Sequence, residues 1–465
     1  MIGDPRQLGA SAYASGRFED AVTQFERALR DSPRDPDLLG MLGATLNELG
    51  RCEEALKHLR LARARRPDHP ETLVTFASAS LGVGRLDEAE KAIERLRRTH
   101  PDHPRAIHVL TRIHLARGNA DAASDVVIDA LDRGVGDASS LVAYADVAPR
   151  ANRTGDAITR LRAAEASLDP ASRRSVLFAL ARLLDLEASY DDAFEVAIRA
   201  NAMVRPRVLL DTDAMLETWT FDAFDSIGPA PADDGASARA VFLVGMPRSG
   251  TTLTERLIAS HSRGAGVGES LALPNLARRT RPDAMTGEDL AALGRSYLDQ
   301  TRADADRVAD KMPENWTLVP LIRAALPGAA IVHCRRDPRD TCLSCFLQNF
   351  GDHVHYAFDL ETCAAQYVRC DRAMREAARR VPIVDWAYEQ VVADTEWAVR
   401  RLLDAIGLDF EPGCLEYHAR DATVMTASRD QVRRAIYGSS VGRWKNYERH
   451  LGPLLKALDP VLETR

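Results

Sequence analysis

Through the first half of the chain, apolar residues return every three or four positions in short blocks, as at Ala55, Leu56, Leu59 and Ala62. That is the spacing of an amphipathic helix with one buried stripe. The blocks themselves repeat. Gly16, Gly50, Gly84 and Gly118 recur every 34 residues, as do Ala21, Ala55, Ala89, Ala123 and Ala157. Pro33, Pro67 and Pro101 keep the same step, and so do Pro36, Pro70 and Pro104. Helical blocks at this period predict a string of helix hairpins. The small Ala lets two helices approach, the Gly ends the first helix, and the prolines are expected to close the second.

The segment resembles a tetratricopeptide array, whose usual period is 34 residues. About six units are expected, divided near Leu38, Thr72, Ala106, Ser140 and Arg174. The last two are degenerate: Gly is missing at position 152, and an extra-long final helix is expected. Terminal repeats are atypical because one face meets solvent or another domain. The resemblance implies a concave docking surface for a protein partner and leaves that partner open. The array is expected to occupy residues 1–207. Residues 208–226 read as one more amphipathic helix, and 228–238 (GPAPADDGASA) as a linker. Residues 208–238 then connect the array to a second domain at 239–465.

There the pattern changes. Ala240 to Gly245 is a short apolar run of strand type, followed by Met246-Pro247-Arg248-Ser249-Gly250-Thr251-Thr252 and then by helical spacing from Leu253 to Ser260. A strand, a Gly-bounded loop and a helix start make a cradle for a phosphate at the positive end of a helix. A nucleotide triphosphatase would carry Lys where this loop has Thr251. Arg248 brings a cation instead, and Ser249, Thr251 and Thr252 bring hydroxyls. Losing the Lys weakens the case for γ-phosphoryl transfer and for a metal while keeping the anion cradle.

Ala330 to Ser344 repeats the plan of strand, polar turn and helix. Arg336 at the strand end and Ser344 about two helical turns on could converge on one phosphate, for which the planar Arg fork is suited. A third block runs from Ser428 to Tyr437 and on through Arg443, Trp444 and Lys445. Its small and hydroxyl residues suit a loop that folds over a nucleotide.

Composition narrows the classes. The chain has 465 residues, 45% of them hydrophobic, 28% charged and 6% aromatic, with a formal charge of -7. This is a globular composition of two or three domains, poor in the aromatics of a β-rich fold. The acidic balance weighs against a nucleic-acid binder. Between Arg207 and Arg239 there are seven acidic residues and no Lys or Arg, so an anionic ligand needs a local pocket of cations. No stretch approaches a membrane span and the start lacks a secretory signal, so a cytoplasmic protein is expected. The seven cysteines are then free thiols. Cys342 and Cys345 form a CxxC pair with no partner pair at zinc spacing.

With the three blocks in order, the second half is similar to the sulfotransferases that use 3'-phosphoadenylyl sulfate (PAPS), the tyrosylprotein sulfotransferases above all. A tetratricopeptide array before such a domain is a known bacterial arrangement. The resemblance runs from about residue 240 to 455 and implies an α/β domain with a central parallel sheet. It implies that Arg248, Ser249, Gly250, Thr251 and Thr252 hold the 5'-phosphosulfate end of the donor. Arg336 and Ser344 match the pair on its 3'-phosphate, and Tyr388 a donor-contacting tyrosine. Ser428, Tyr437, Arg443 and Trp444 match the C-terminal donor loop, where the family has Lys in place of Arg443. Glu269 stands where the family has its general base, and Lys311 and Ser428 match transition-state stabilisers, with Arg248 assisting. Two positions depart: Leu271 and Gln348 stand where the family has Arg. The first weighs against an acidic tyrosine peptide as acceptor, and the second loosens the 3' side.

The reaction so implied moves a sulfuryl group to an acceptor hydroxyl, with adenosine 3',5'-bisphosphate as product and no metal. The protein must align three atoms, spread negative charge and take a proton. Glu269 is favoured for the proton over His353 and His355, and a partly desolvated Glu is the better base. The acceptor stays open between a protein or peptide tyrosine, a saccharide and a metabolite. Two other classes stay open as well: a P-loop nucleotide kinase, and a non-catalytic repeat adaptor whose second domain senses a nucleotide.

Overall fold

The computed structural model describes residues 4–204, 212–227, 235–301, 303–350, 354–417 and 438–463. It divides into two compact units, Met1–Val196 and Ala197–Arg465.

The first unit is a run of helix hairpins, beginning with Pro5–Ala14 and Phe18–Asp31, then Pro36–Glu48 and Cys52–Arg65. Its repeating marks have separate physical jobs. Ala21, Ala55, Ala89, Ala123 and Ala157 are all fully buried where helices cross. Gly16, Gly50, Gly84 and Gly118 turn the chain with φ of 72 to 75°, a conformation that costs Gly little. At position 152, where Gly is missing, Asn152 takes the same turn at φ 54°, as Asn tolerates. The last long helix, Pro170–Leu186, has 17 residues where its counterparts have 13, and the turn moves on to Ala188 at φ 57°.

Pro33, Pro67 and Pro101 follow the helices that end at Asp31, Arg65 and Thr99, as expected, but the second proline set acts otherwise than the sequence suggested. Pro36, Pro70 and Pro104 open helices, at the first position where an absent N–H costs nothing. Asp35 caps one such start by accepting from the N–H groups of Asp37 and Leu38. Exposed ion pairs link residues one repeat apart, among them Arg60–Glu88, Arg85–Glu53, Arg95–Asp68 and Arg160–Asp132. Each is worth little in water.

The stretch read as a single helix is two, Thr212–Thr218 and Phe221–Asp225. Thr220 breaks it: its extended backbone lets the hydroxyl accept from the Ala223 N–H and cap the second helix. Both helices belong to the second unit. Asp213 pairs with Arg369, and Asp222 with Arg380, so part of the acidic surplus is met by the long helix Leu360–Arg380.

The second unit is built on a five-stranded sheet: β1 (Ala240–Gly245), β2 (Gly264–Gly268), β3 (Arg307–Asp310), β4 (Ala330–Arg335) and β5 (Val384–Ala387). The order is β2-β3-β1-β4-β5 and every pairing is parallel. β1 lies in the middle with all six residues buried, as a strand covered on both faces requires. The register aligns the strand ends: Gly245 opposes Cys334, Gly268 opposes Asp310, and Arg335 opposes Ala387.

At the end of β3, Asp310 is almost completely buried. It accepts from the Tyr297 hydroxyl at 2.9 Å and the Met312 N–H at 3.0 Å. Burial pushes its carboxyl up to about 7.

Two predictions follow from this packing. A Cβ at Gly43 would lie 2.5 Å from Leu59 Cγ, so Gly43→Ala forces the hairpin apart. Denaturant unfolding should show a loss of about 1–3 kcal/mol. For Asp310, the folded state holds a proton that the unfolded chain has released above the ordinary carboxylate range, so stability falls as pH rises towards about 7. Asp310→Asn removes that dependence, so thermal melting should show the variant gaining on the wild type between pH 5 and pH 8. A constant difference across that range would contradict the assignment.

Candidate functional site

In open parallel sheets, ligands lie beyond the carboxyl ends of the strands. Here each of the five strands delivers a candidate residue at that edge: the loop after β1, Glu269 after β2, Lys311 after β3, Arg336 after β4 and Tyr388 after β5.

The loop after β1 is tightly specified. A Cβ on Gly245 would run into the Cys334 carbonyl, and one on Gly250 would come within 3.0 Å of the Tyr388 ring. Arg248 holds a left-handed backbone at φ 68°, a strain of the kind found at functional sites. Gly250, at φ 99°, precedes the loop helix Thr251–Ala259 and brings no capping side chain, so the helix N-terminus keeps N–H groups for an anion. Thr251 and Thr252 are buried, and Ser249 is 1% exposed with its Oγ lacking a hydrogen-bond partner among the described residues. Thr254 ties the helix down: its hydroxyl donates to the Gly250 carbonyl and accepts from Trp386 Nε1.

Arg336 is the hub that joins the loops after β1 and β4 to the C-terminal segment. Its guanidinium donates to the Arg248 carbonyl at 3.3 Å and to the Ser440 carbonyl, and stands 5.1 Å from the Tyr388 ring centre. Its Nε is buried and has no hydrogen-bond partner among the described residues. Arg248 Nε donates to Ser344 Oγ at 3.0 Å, so the two loops are joined. The helix Pro338–Phe346 also carries Asp340, a residue the sequence reading missed. Asp340 lies 3.8 Å from Arg336 and accepts from the N–H groups of Gly442 and Trp444. It pins the C-terminal segment over the Arg336 turn. The i,i+4 spacing of Arg336 and Asp340 was its one visible sign. Burial pushes the Asp340 carboxyl up, and Arg336 opposes that. Trp444 is sandwiched further by Arg339, 4.0 Å from its ring centre, and Arg443 lies half-buried beside it.

On the other side of β1, Lys311 Nζ donates to Glu269 Oε1 at 2.6 Å. The Lys311 side chain is 1% exposed and that of Glu269 51%. The expected desolvation therefore falls on the cation, while the carboxylate is open to solvent. Glu255 and Glu314 also act on Lys311, and burial pushes both of their carboxyls up. Tyr356 donates to Glu314 at 3.3 Å, and His355 packs edge-on against Tyr356.

Ser428, Tyr437 and His353 lie outside the described residues. Cys345 approaches the Pro247 carbonyl at 3.4 Å behind the loop. Burial pushes the Cys342 thiol up, and hydrogen bonding to Cys363 together with burial does so for Cys345. Neither is near the thiolate form that exchange or metal binding needs. Among the described residues no group of three His, Cys, Asp or Glu is arranged to hold a metal ion, and no helix is long and apolar enough to cross a membrane.

Comparison with known proteins agrees with this geometry. Residues 240–412 match the family model described as sulfotransferase family. Tetratricopeptide-repeat models match residues 6–70, 47–107 and 80–143. A curated protein of Aquifex aeolicus, described as uncharacterized, is 31% identical over 319 residues, or 62% of this chain. The chain spans 41% of that relative's length. Solved structures similar to the repeats include a tetratricopeptide repeat protein from Parabacteroides merdae, 16% identical over 43% of this chain and 77% of that one, with a TM-score of 0.37. A repeat protein of Thermus thermophilus is 24% identical over 41% of this chain and 97% of that one, with a TM-score of 0.33. The chain thus carries an array of tetratricopeptide repeats followed, at residues 240–412, by a domain of the sulfotransferase family.

Proposed function

We propose that the second domain transfers a sulfuryl group from PAPS to an acceptor hydroxyl, and that the repeat array docks a protein acceptor or partner. The observation that carries this reading is the meeting, at one sheet edge, of an anion cradle with a buried Lys311 paired to a solvent-open Glu269. The donor would supply the sulfuryl group and leave as adenosine 3',5'-bisphosphate. Two buried polar atoms of the cradle, Ser249 Oγ and Arg336 Nε, lack hydrogen-bond partners among the described residues. Buried polar groups are normally paired, so both fit a bound phosphate.

In this reading the loop N–H groups, Ser249, Thr251, Thr252 and Arg248 hold the 5' end, and Arg336 with Ser344 the 3'-phosphate. Tyr388, Arg443 and Trp444 enclose the nucleotide together with Ser428 and Tyr437. Lys311 has three N–H donors, one of which goes to Glu269. The others serve the oxygens on which charge builds as the sulfuryl group moves, with Ser428 as a second stabiliser. Cations aimed at developing charge act most strongly where water is excluded, and Lys311 is the most buried cation at this edge. Glu269 accepts the acceptor's proton, and its exposure leaves room for an incoming hydroxyl. Leu271, 56% exposed two residues beyond Glu269, offers an apolar surface where an acidic peptide would need a cation. A phenol or an uncharged saccharide suits it better.

The test is transfer of labelled sulfuryl from PAPS to acceptors in a mixed lysate, with chelator present. Wild-type chain should label an acceptor. Glu269→Gln and Lys311→Ala should each lower turnover by about 10²–10⁴-fold while binding of adenosine 3',5'-bisphosphate persists. Full turnover by Glu269→Gln would remove Glu269 from the base role. Absence of labelling by the wild type, with ATP–Mg as the only nucleotide bound, would favour the kinase instead.

A further inference from the structure

Between the loop helix and β2 there is a contact that the reaction itself does not use. Glu255 lies on the second turn of Thr251–Ala259, five residues beyond Gly250. Its Oε1 accepts from the Gly268 N–H at 2.7 Å. The Gly268 carbonyl in turn accepts from the Lys311 N–H at 2.9 Å. Gly268 is thus held on both sides, in a left-handed turn at φ 71°. The next residue is Glu269, which completes the circuit to Lys311 Nζ at 2.6 Å.

The fit around Glu255 is close. A Cβ on Gly266 would lie 2.7 Å from Glu255 Oε1, so this stretch of β2 is bare because the carboxylate occupies the space. The β2–β3 register is also irregular between Gly266 and Gly268. Plain ladder pairing therefore does not fix the turn, and the side chain supplies what the ladder omits.

We propose that Glu255 is a positioning residue: it fixes the Gly268 turn so that Glu269 meets Lys311, and ties that turn to the helix whose N-terminus forms the donor cradle. One rigid helix then sets both the anion site and the base. A shift of about 1 Å in a reacting group costs on the order of 100-fold in rate, which is the scale of effect expected from losing such an anchor. The charged groups acting on Glu255 are Lys311, Glu269 and Arg256, and Asp310 feels its charge as well. The anchor needs an acceptor oxygen rather than a charge, so Gln should serve in its place.

The inference rests on the proposed sulfuryl transfer with Glu269 as base, and two readouts keep them separable. The first is hydrogen exchange at the Gly268 amide in full-length protein labelled with ¹⁵N-glycine. Glu255→Ala should lose protection there and Glu255→Gln should keep it. The second is turnover of labelled PAPS with a phenol acceptor. Glu255→Ala should drop kcat by about 100-fold with the donor KM within about threefold, and Glu255→Gln should recover most of the loss. A general folding defect would instead raise the donor KM and resist rescue by Gln. Unaltered Gly268 protection in Glu255→Ala, or wild-type kcat in that variant, would overturn the proposal. A wild type without turnover on phenol and saccharide acceptors alike would overturn the sulfuryl-transfer reading, and the exchange result would still decide the anchor.

Discussion

The parallel register of the sheet is the constraint on which the site depends. Strands that run the same way and pair in register finish at one edge, so residues far apart in the chain arrive together without long-range selection for each contact. Gly268 and Asp310 are cross-strand neighbours, and the residues after them, Glu269 and Lys311, form a pair; Gly245 and Cys334 align the ends of β1 and β4 in the same way. The polar links across that edge are short and continuous. Arg336 reaches the Arg248 and Ser440 carbonyls, Arg248 reaches Ser344, and Lys311 reaches Glu269.

Charge is distributed to suit. In a chain of net charge -7, Arg248, Lys311 and Arg336 are gathered at one sheet edge. Lys311 would be costly to bury alone. Its surroundings answer that cost with Glu269 in direct contact and Glu255 and Glu314 nearby. Elsewhere the acidic surplus is spent on pairs with arginine, between neighbouring repeats and between Asp213, Asp222 and the long helix.

Much of this was legible in the sequence, for identifiable reasons. The repeat marks were visible because each serves a fixed geometric need: burial at a helix crossing for Ala55, a left-handed turn for Gly50. Asn152 kept the turn where the Gly rule lapsed. Pro36, Pro70 and Pro104 misled because Pro is tolerated at a helix start and excluded from a helix interior, and spacing alone does not separate a start from an end. The break at Thr220 was hidden because its flanks carry helical periodicity and only the hydroxyl cap interrupts them. In the site, the loop and Arg336 announced themselves by composition. Asp340 and Glu255 did not, since a single carboxylate in a helix reads as surface until its partners, the Trp444 and Gly268 N–H groups, are seen.

In the proposed reading the sheet edge is a cradle for a doubly phosphorylated adenosine rather than for a triphosphate with metal. Calorimetry on the full chain, in chelator, tests it most directly by comparing adenosine 3',5'-bisphosphate with adenosine 5'-monophosphate. The bisphosphate is expected to bind at least tenfold more tightly, since one charge-assisted contact to the 3'-phosphate is worth roughly 1.5–3 kcal/mol, and Arg336→Ala to abolish the difference. Equal binding of the two nucleotides in chelator, or, with magnesium supplied in place of the chelator, binding of ATP–Mg but not of the bisphosphate, would contradict this reading.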